Sequence, residues 1–172
     1  MTVRLVPFTA AHVSKDYLSW LNDRRLMRFS RQRLRSHTEA TSLEYVASFA
    51  GTPNLFWAVE RVADGRHIGS MTAYVDAHQR TADLGILIGP VGKGSGTAAW
   101  GLALTHVFSV LRLRKATAGA VAPNEAMLGI CRKWDMRLEG TRRKQELLDD
   151  GPADVLLFGL LREEWENRTS PR

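Results

Sequence analysis

A chain of 172 residues with 44% hydrophobic and 24% charged side chains has the size and make-up of one folded domain, which sets disorder aside. Its single cysteine, Cys131, excludes an internal disulfide and a cysteine-based metal cluster, and no apolar run reaches the roughly 20 residues that cross a bilayer. The net charge of +6 leaves room for an anionic ligand, whereas basic charge alone argues only weakly for nucleic acid.

Val3 to Phe8 alternates loosely and reads as a first strand. Thr9 can cap the helix that follows, in which Val13, Tyr17, Leu18 and Leu21 recur at helical spacing. Arg24, Arg25, Arg28, Arg31, Arg33 and Arg35 then face only Asp23. That stretch is a loop or short helix, either a solvated surface or a site edge that attracts an anion. Ser36 and Glu39, three apart, match a capping box for a second helix, which Gly51-Thr52-Pro53-Asn54 stops. Leu55 to Arg61 and His67 to Asp76 read as a hairpin around Ala63-Asp64-Gly65. Ala82 to Gly89 is a further strand, its apolar run predicting burial on both faces. A glycine-rich loop leads into a long apolar helix from Ser95 to Leu111. Lys115 to Val121 is a strand, and Asn124 caps a helix reaching Trp134. Arg137 to Leu148 and Asp154 to Leu161 form a final strand pair. The order is strand, two helices, three strands, helix, strand, helix, two strands, which predicts a mixed α/β sheet with helices on its faces. Residues 1–165 are expected to form a single domain and 166–172 a charged tail. Met1 to Pro7 lacks a continuous apolar signal segment, which favours the cytoplasm and leaves peripheral membrane contact open.

The most informative stretch runs from Asp83 through Ile86-Leu87-Ile88 to Val91-Gly92-Lys93-Gly94-Ser95-Gly96-Thr97. Three glycines at alternate positions let the backbone turn and approach a ligand. The helix after them directs unpaired N–H groups and its dipole at the loop, which suits a phosphate. The Walker spacing is absent, and the glycines do not fall as in a dinucleotide loop. An ordinary tight turn is the plain alternative.

Here the sequence resembles the GNAT acetyltransferases. Val91 to Gly96 is similar to the family's acyl-CoA loop, usually Arg/Gln-x-x-Gly-x-Gly/Ala, with Val91 standing where the family has Arg or Gln. Asn124-Glu125-Ala126-Met127, Lys133-Trp134-Asp135-Met136 and Glu139-Gly140 resemble its Asn-x-x-Ser, Lys-x-Gly-Phe and Glu-Gly elements. Trp20-Leu21-Asn22-Asp23, His37-Thr38, Asp149-Asp150-Gly151, Asp154 and the stretch Leu160 to Trp165 are similar to its ribosomal-protein and amino-sugar branch. The resemblance implies a GNAT fold: a central, mixed, mostly antiparallel twisted sheet of six to seven strands flanked by about four helices.

It also implies an N-acetyltransferase that uses acetyl-CoA as co-substrate and no metal. Ile86, Leu87 and Ile88 would bond the pantetheine arm, and a backbone amide there would polarise the acetyl carbonyl. Val91, Gly92, Lys93, Gly94, Ser95, Gly96 and Thr97 would hold the pyrophosphate. Asn124 would bind the cofactor arm or a water, or act only as a helix cap. Asp83 is the first candidate for the base that takes the amine's proton, with His67 and Asp76 behind it and a salt-bridged strand-end carboxylate as the structural alternative. Cys131 stands where many relatives carry a tyrosine acid, and is a candidate acid or a buried helix-face thiol. Trp20, Arg28 and Arg31 are the acceptor-binding candidates, with a packing role for Trp20 as the alternative. The implied acceptor is a primary amine of a small molecule, such as an amino sugar, free or nucleotide-linked. A protein N-terminus, a non-catalytic acyl-CoA-binding domain and a nucleic-acid module are the competing readings. A homodimer accords with the resemblance, and the residues do not determine it.

Overall fold

The computed structural model describes residues 2–92 and 94–169. Seven strands form one sheet in the order β1-β2-β3-β4-β5-β7-β6: β1 Val3–Pro7, β2 Leu55–Arg61, β3 His67–Asp76, β4 Thr81–Ile88, β5 Lys115–Val121, β6 Arg137–Leu148 and β7 Gly151–Leu161. Five α-helices accompany it: α1 Lys15–Asn22, α2 Glu39–Ala47, α3 Gly96–Thr105, α4 Glu125–Lys133 and α5 Arg162–Thr169. This is the mixed, mostly antiparallel architecture expected of the sequence. Three details differ. Ser14, not Thr9, caps α1, because Thr9 closes the short turn Ala10–His12. Thr38 with Thr41, rather than Ser36 with Glu39, makes the capping box of α2. The segment expected as a tail is helical to Thr169, and residues 170–172 lie outside the described residues.

Side-chain alternation divides the core in two. Trp57, Val59, Met71, Ala73, Ala82, Leu84, Ala116 and Ala118 pack with α3 and α4 on one face. Phe56 and Ala58 pack with Phe8, Tyr17 and Trp20 on the other, next to α1 and α2. Helix α3 is apolar nearly all round and lies deep in the molecule: Trp100, Ala103 and Leu104 have no exposure. A π-turn, His106–Val110, extends it towards the predicted end at Leu111.

One junction decides where a ligand can go. Among the described residues β4 and β5 are the only parallel pair, and their pairing covers just Thr81–Lys115, Ala82–Ala116 and Asp83–Thr117. Beyond Asp83 they part, while β4 stays paired to β3 and β5 to β7. Leu84 to Ile88 therefore present backbone groups on the β5 side that have no strand partner, and such groups need another partner or water.

Candidate functional site

The parting strands open a cleft of about 1400 Å³. That exceeds the roughly 300–1,000 Å³ of a pocket for one small ligand and suits two substrates meeting. Gly85 to Gly89 line its floor, Gly94, Gly96 and Thr97 one end, and Asn124, Met127 and Ile130 of the α4 region its side. The opposite wall comes from α2 and from the arginine-rich stretch after α1.

At the loop end, Pro90–Gly92 makes a tight turn, and Gly94 has φ +87°, a conformation that strains any side chain. A Cβ on Gly92 would come within 2.9 Å of the Ile68 carbonyl, so that position requires glycine for close packing. The amides of the first turn of α3 then have no acceptor within the helix and face this loop. Ser95 is fully buried and its hydroxyl donates to the Gly92 carbonyl, so it braces the loop from inside. Val91 contributes backbone to the turn, and Lys93 lies outside the described residues. Ile86, Leu87 and Ile88 all line the cleft, and so does Asn124, whose Oδ1 also accepts from the Met127 N–H at 3.2 Å. It serves as helix cap and cleft residue together.

Asp83 occupies the vertex where β4 and β5 separate. Thr117 donates to its carboxylate at 2.8 Å. Asp83 shares its sheet face with Gly85, Tyr74 and Gly119, all of which line the cleft just beyond it. Packing around the carboxylate raises its pKa above the ordinary range, and the Thr117 hydroxyl opposes that shift. Its side chain keeps an exposed edge, so protons can be exchanged with solvent there. Tyr74 meets Tyr45 of α2 hydroxyl to hydroxyl at 2.6 Å, and burial with that bond raises the Tyr45 pKa.

Other sequence candidates lie elsewhere. Cys131 has no exposed surface, sits in the α3/α4 core, and is pushed up to about 11 by burial. A thiol turned inward cannot reach the cleft as an acid. Trp20 is buried too, and its indole packs against Gly89, where a Cβ would lie 2.5 Å from the ring. It supports the end of β4 from beneath instead of contacting an acceptor. Arg31 is paired with Glu146 at 2.9 Å, and Arg28 lies over the Phe29 ring at 4.4 Å. His67 donates from Nε2 to the Gly69 carbonyl at 2.8 Å and buries Nδ1 among aromatic rings. Burial first, and His12 next, lower its pKa to about 4, so it is a neutral packing residue. Asp76 caps the turn to β4 by accepting from the Gln79 N–H. The sequence reading missed Tyr45, Tyr74 and Ser42, which do line the cleft, and named Arg25 and Arg35 only as part of a stretch that could edge a site. Alternation along β3 was the available signal for Tyr74, since Ser70, Thr72 and Tyr74 share one face.

A sheet that splits between two parallel strands and ends in a glycine loop at a helix N-terminus defines a protein that holds an extended, diphosphate-bearing carrier. Residues 2–137 match the acetyltransferase (GNAT) domain, and the chain belongs to that family. It is an acyltransferase, and its co-substrate is acetyl-CoA. Solved structures agree in fold. Spermidine N-acetyltransferase from Vibrio cholerae, in complex with CoA and spermine, superimposes with a TM-score of 0.84 at 17% identity, over 95% of this chain and 97% of that one. A GNAT-family acetyltransferase from Bacillus anthracis gives 0.80 at 19%, over 95% and 97%. A GCN5-related N-acetyltransferase from Brucella melitensis gives 0.74 at 21%, over 95% and 77%. No curated protein sequence matches the chain significantly. Among the described residues no group of three or more His, Cys, Asp or Glu side chains is placed to hold a metal, and no helix is long and apolar enough to cross a membrane.

Proposed function

We propose that this acyltransferase acetylates a primary amine of a small cytoplasmic molecule, an amino sugar in free or nucleotide-linked form, within the ribosomal-protein and amino-sugar branch. The observation that carries the proposal is the split sheet with Asp83 at its vertex. The unpaired edge of Leu84 to Ile88 offers backbone donors and acceptors to an extended arm, and the amides at Gly94 to Thr97 face the end that would carry the diphosphate. Acetyl-CoA supplies an activated acyl carbon. Its thioester belongs near the closed end, because Ile88 to Asp83 spans about five strand steps of roughly 3.3 Å from the loop. A backbone N–H of β4 aimed at the acyl oxygen stabilises the charge that develops there.

The amine must reach that carbon unprotonated. Asp83 accepts its proton, directly or through one water, with Thr117 fixing the carboxylate. A raised pKa makes Asp83 a stronger base than a solvated carboxylate. The burial of Cys131 speaks for a mechanism without it as acid.

Coenzyme A release against amino sugars, nucleotide-linked amino sugars and peptides with free N-termini tests the acceptor class. Turnover on peptides alone would overturn the small-molecule assignment. Asp83→Asn is expected to lower kcat by roughly 10²–10⁴-fold with acetyl-CoA affinity unchanged. A rate within a few-fold of wild type at every pH would remove Asp83 from the role of base.

A further inference from the structure

The arginine-rich stretch after α1 is a closed loop with a pinned neck and a clamped tip. At the neck, Asn22 bonds His37 twice: its Nδ2 donates to the His37 carbonyl at 2.8 Å, and its Oδ1 accepts from the His37 N–H at 3.0 Å. At the tip, Arg31 and Arg33 both donate to Glu146 of β6, at 2.9 and 3.2 Å. A compact surface loop with joined ends of this kind is often functional.

The loop uses its cations unequally. Arg31 and Arg33 are taken by Glu146, Arg24 lies 3.7 Å from Asp149, and Arg28 covers Phe29. Arg25 and Arg35 are left, and neither forms an ion pair among the described residues. Both line the cleft. They leave the two sides of the neck, three residues after Asn22 and two before His37. The acids on the same lining are Asp23 and Glu44. Asp23 already accepts from the N–H groups of Arg25 and Leu26, at 2.8 and 3.1 Å. Neither Asp23 nor Glu44 forms an ion pair with Arg25 or Arg35 among the described residues, so both guanidinium groups stay uncommitted although two carboxylates share the lining. A second observation lies on the same cleft lining. Ser42 of α2 is 5% exposed and lines the cleft, and its hydroxyl has no protein partner. A buried hydroxyl without a partner carries a desolvation cost that a ligand oxygen would relieve.

We infer that Arg25 and Arg35, with Ser42, form a subsite for an anionic group, a phosphate or carboxylate, carried by the acceptor amine. Guanidinium groups pair such oxyanions through two parallel hydrogen bonds, which gives direction as well as attraction. This rests on the acceptor reading above and narrows it: the preferred substrates are amines that bear a negative charge. Arg28 and Arg31, the arginines first expected to bind the acceptor, hold the loop in shape instead. A phosphate of coenzyme A is the other source of the same chemistry, and the test separates the two.

The test compares glucosamine with glucosamine 6-phosphate as probes, on wild type and on the double variant Arg25→Gln/Arg35→Gln. Wild type is expected to favour the phosphorylated probe at least tenfold in kcat/KM. The double variant should lose that preference while its rate on glucosamine stays within about threefold. Calorimetric titration of glucosamine 6-phosphate into the CoA-saturated protein gives a readout independent of turnover, with binding to wild type and at least tenfold weaker binding to the variant. Equal rates on both probes in wild type overturn the subsite and leave the amine-acetylation reading standing. A fall in acetyl-CoA affinity with an unchanged probe preference also overturns it, and assigns the arginines to coenzyme A. Binding of the phosphorylated probe that depends on both arginines, without turnover of either probe, supports the subsite and counts against the amino-sugar reading.

Discussion

Replacing Glu146 by alanine isolates the clamp on the loop tip. Glu146 is only 6% exposed and is held by Arg31 and Arg33. The Arg33 side chain is 9% exposed, and its remaining bonds go to the carbonyls of Ser30 and Leu147 at 2.9 and 2.7 Å. Without the carboxylate, a buried guanidinium keeps only those two carbonyl dipoles. Breaking a buried pair in this way costs about 3–5 kcal/mol. The lower end applies here, because the Arg31 side chain is 69% exposed and water reaches the site along it. Arg31→Ala leaves Glu146 paired with Arg33 and should cost no more than about 1 kcal/mol. Urea unfolding read at constant m-value measures both. The sign of the pH dependence follows from the pairing. The Arg31 hydrogen bond, and then that of Arg33, lower the Glu146 pKa below its ordinary 4.5. Its stabilisation is therefore complete above pH 4.5 and fades as pH falls through the folded value. The gap between wild type and Glu146→Gln should narrow over that acid range. Equal costs for Glu146→Ala and Arg31→Ala, or a gap indifferent to acid, would refute the clamp.

Two further predictions concern residues that the structure takes out of the chemistry. Cys131 should react slowly with thiol reagents in the native protein and fast in urea, since burial raises its pKa to about 11. Cys131→Ala should keep turnover within about twofold, and a collapse of kcat with acetyl-CoA binding intact would return an acid role to the thiol. The His67 ring should stay neutral down to about pH 4 by NMR titration, and because the unfolded chain protonates near 6.5, stability should rise with pH between those values. Titration of His67 near 6.5 in the native state would contradict its aromatic burial.

Element types were legible in the sequence because their signals are local. The Ala63-Asp64-Gly65 turn marked the hairpin, glycines marked the loop, and Asn124 marked the start of α4. Caps were harder: Thr9, Ser14, Ser36 and Thr38 are chemically similar, and the chain direction after each selects among them. Side-chain roles failed where they depend on partners distant in sequence. Glu146 lies more than a hundred residues from Arg31 and Arg33, so nothing in the arginine run revealed which cations were already engaged. Trp20 and Cys131, each of which carried a packing alternative in the sequence, could not be resolved there for a related reason. Each lies close to the cleft along the chain, yet packing turns Trp20 beneath Gly89 and Cys131 into the core.

The same geometry explains why Asn22 and His37 matter although neither was given a chemical part. A loop carrying six arginines repels itself, and left free it would spread its charge through solvent. The Asn22–His37 pin draws its ends together beside α2, and Glu146 offsets part of the charge at the tip. Arg25 and Arg35, which form no ion pair among the described residues, lie on the cleft lining. In the proposed reading the carrier side of that cleft draws chiefly on backbone groups, which the parting of β4 from β5 provides. Acceptor selection has no such backbone source. In the subsite proposed above it rests on the arginines that a distant strand leaves unclaimed.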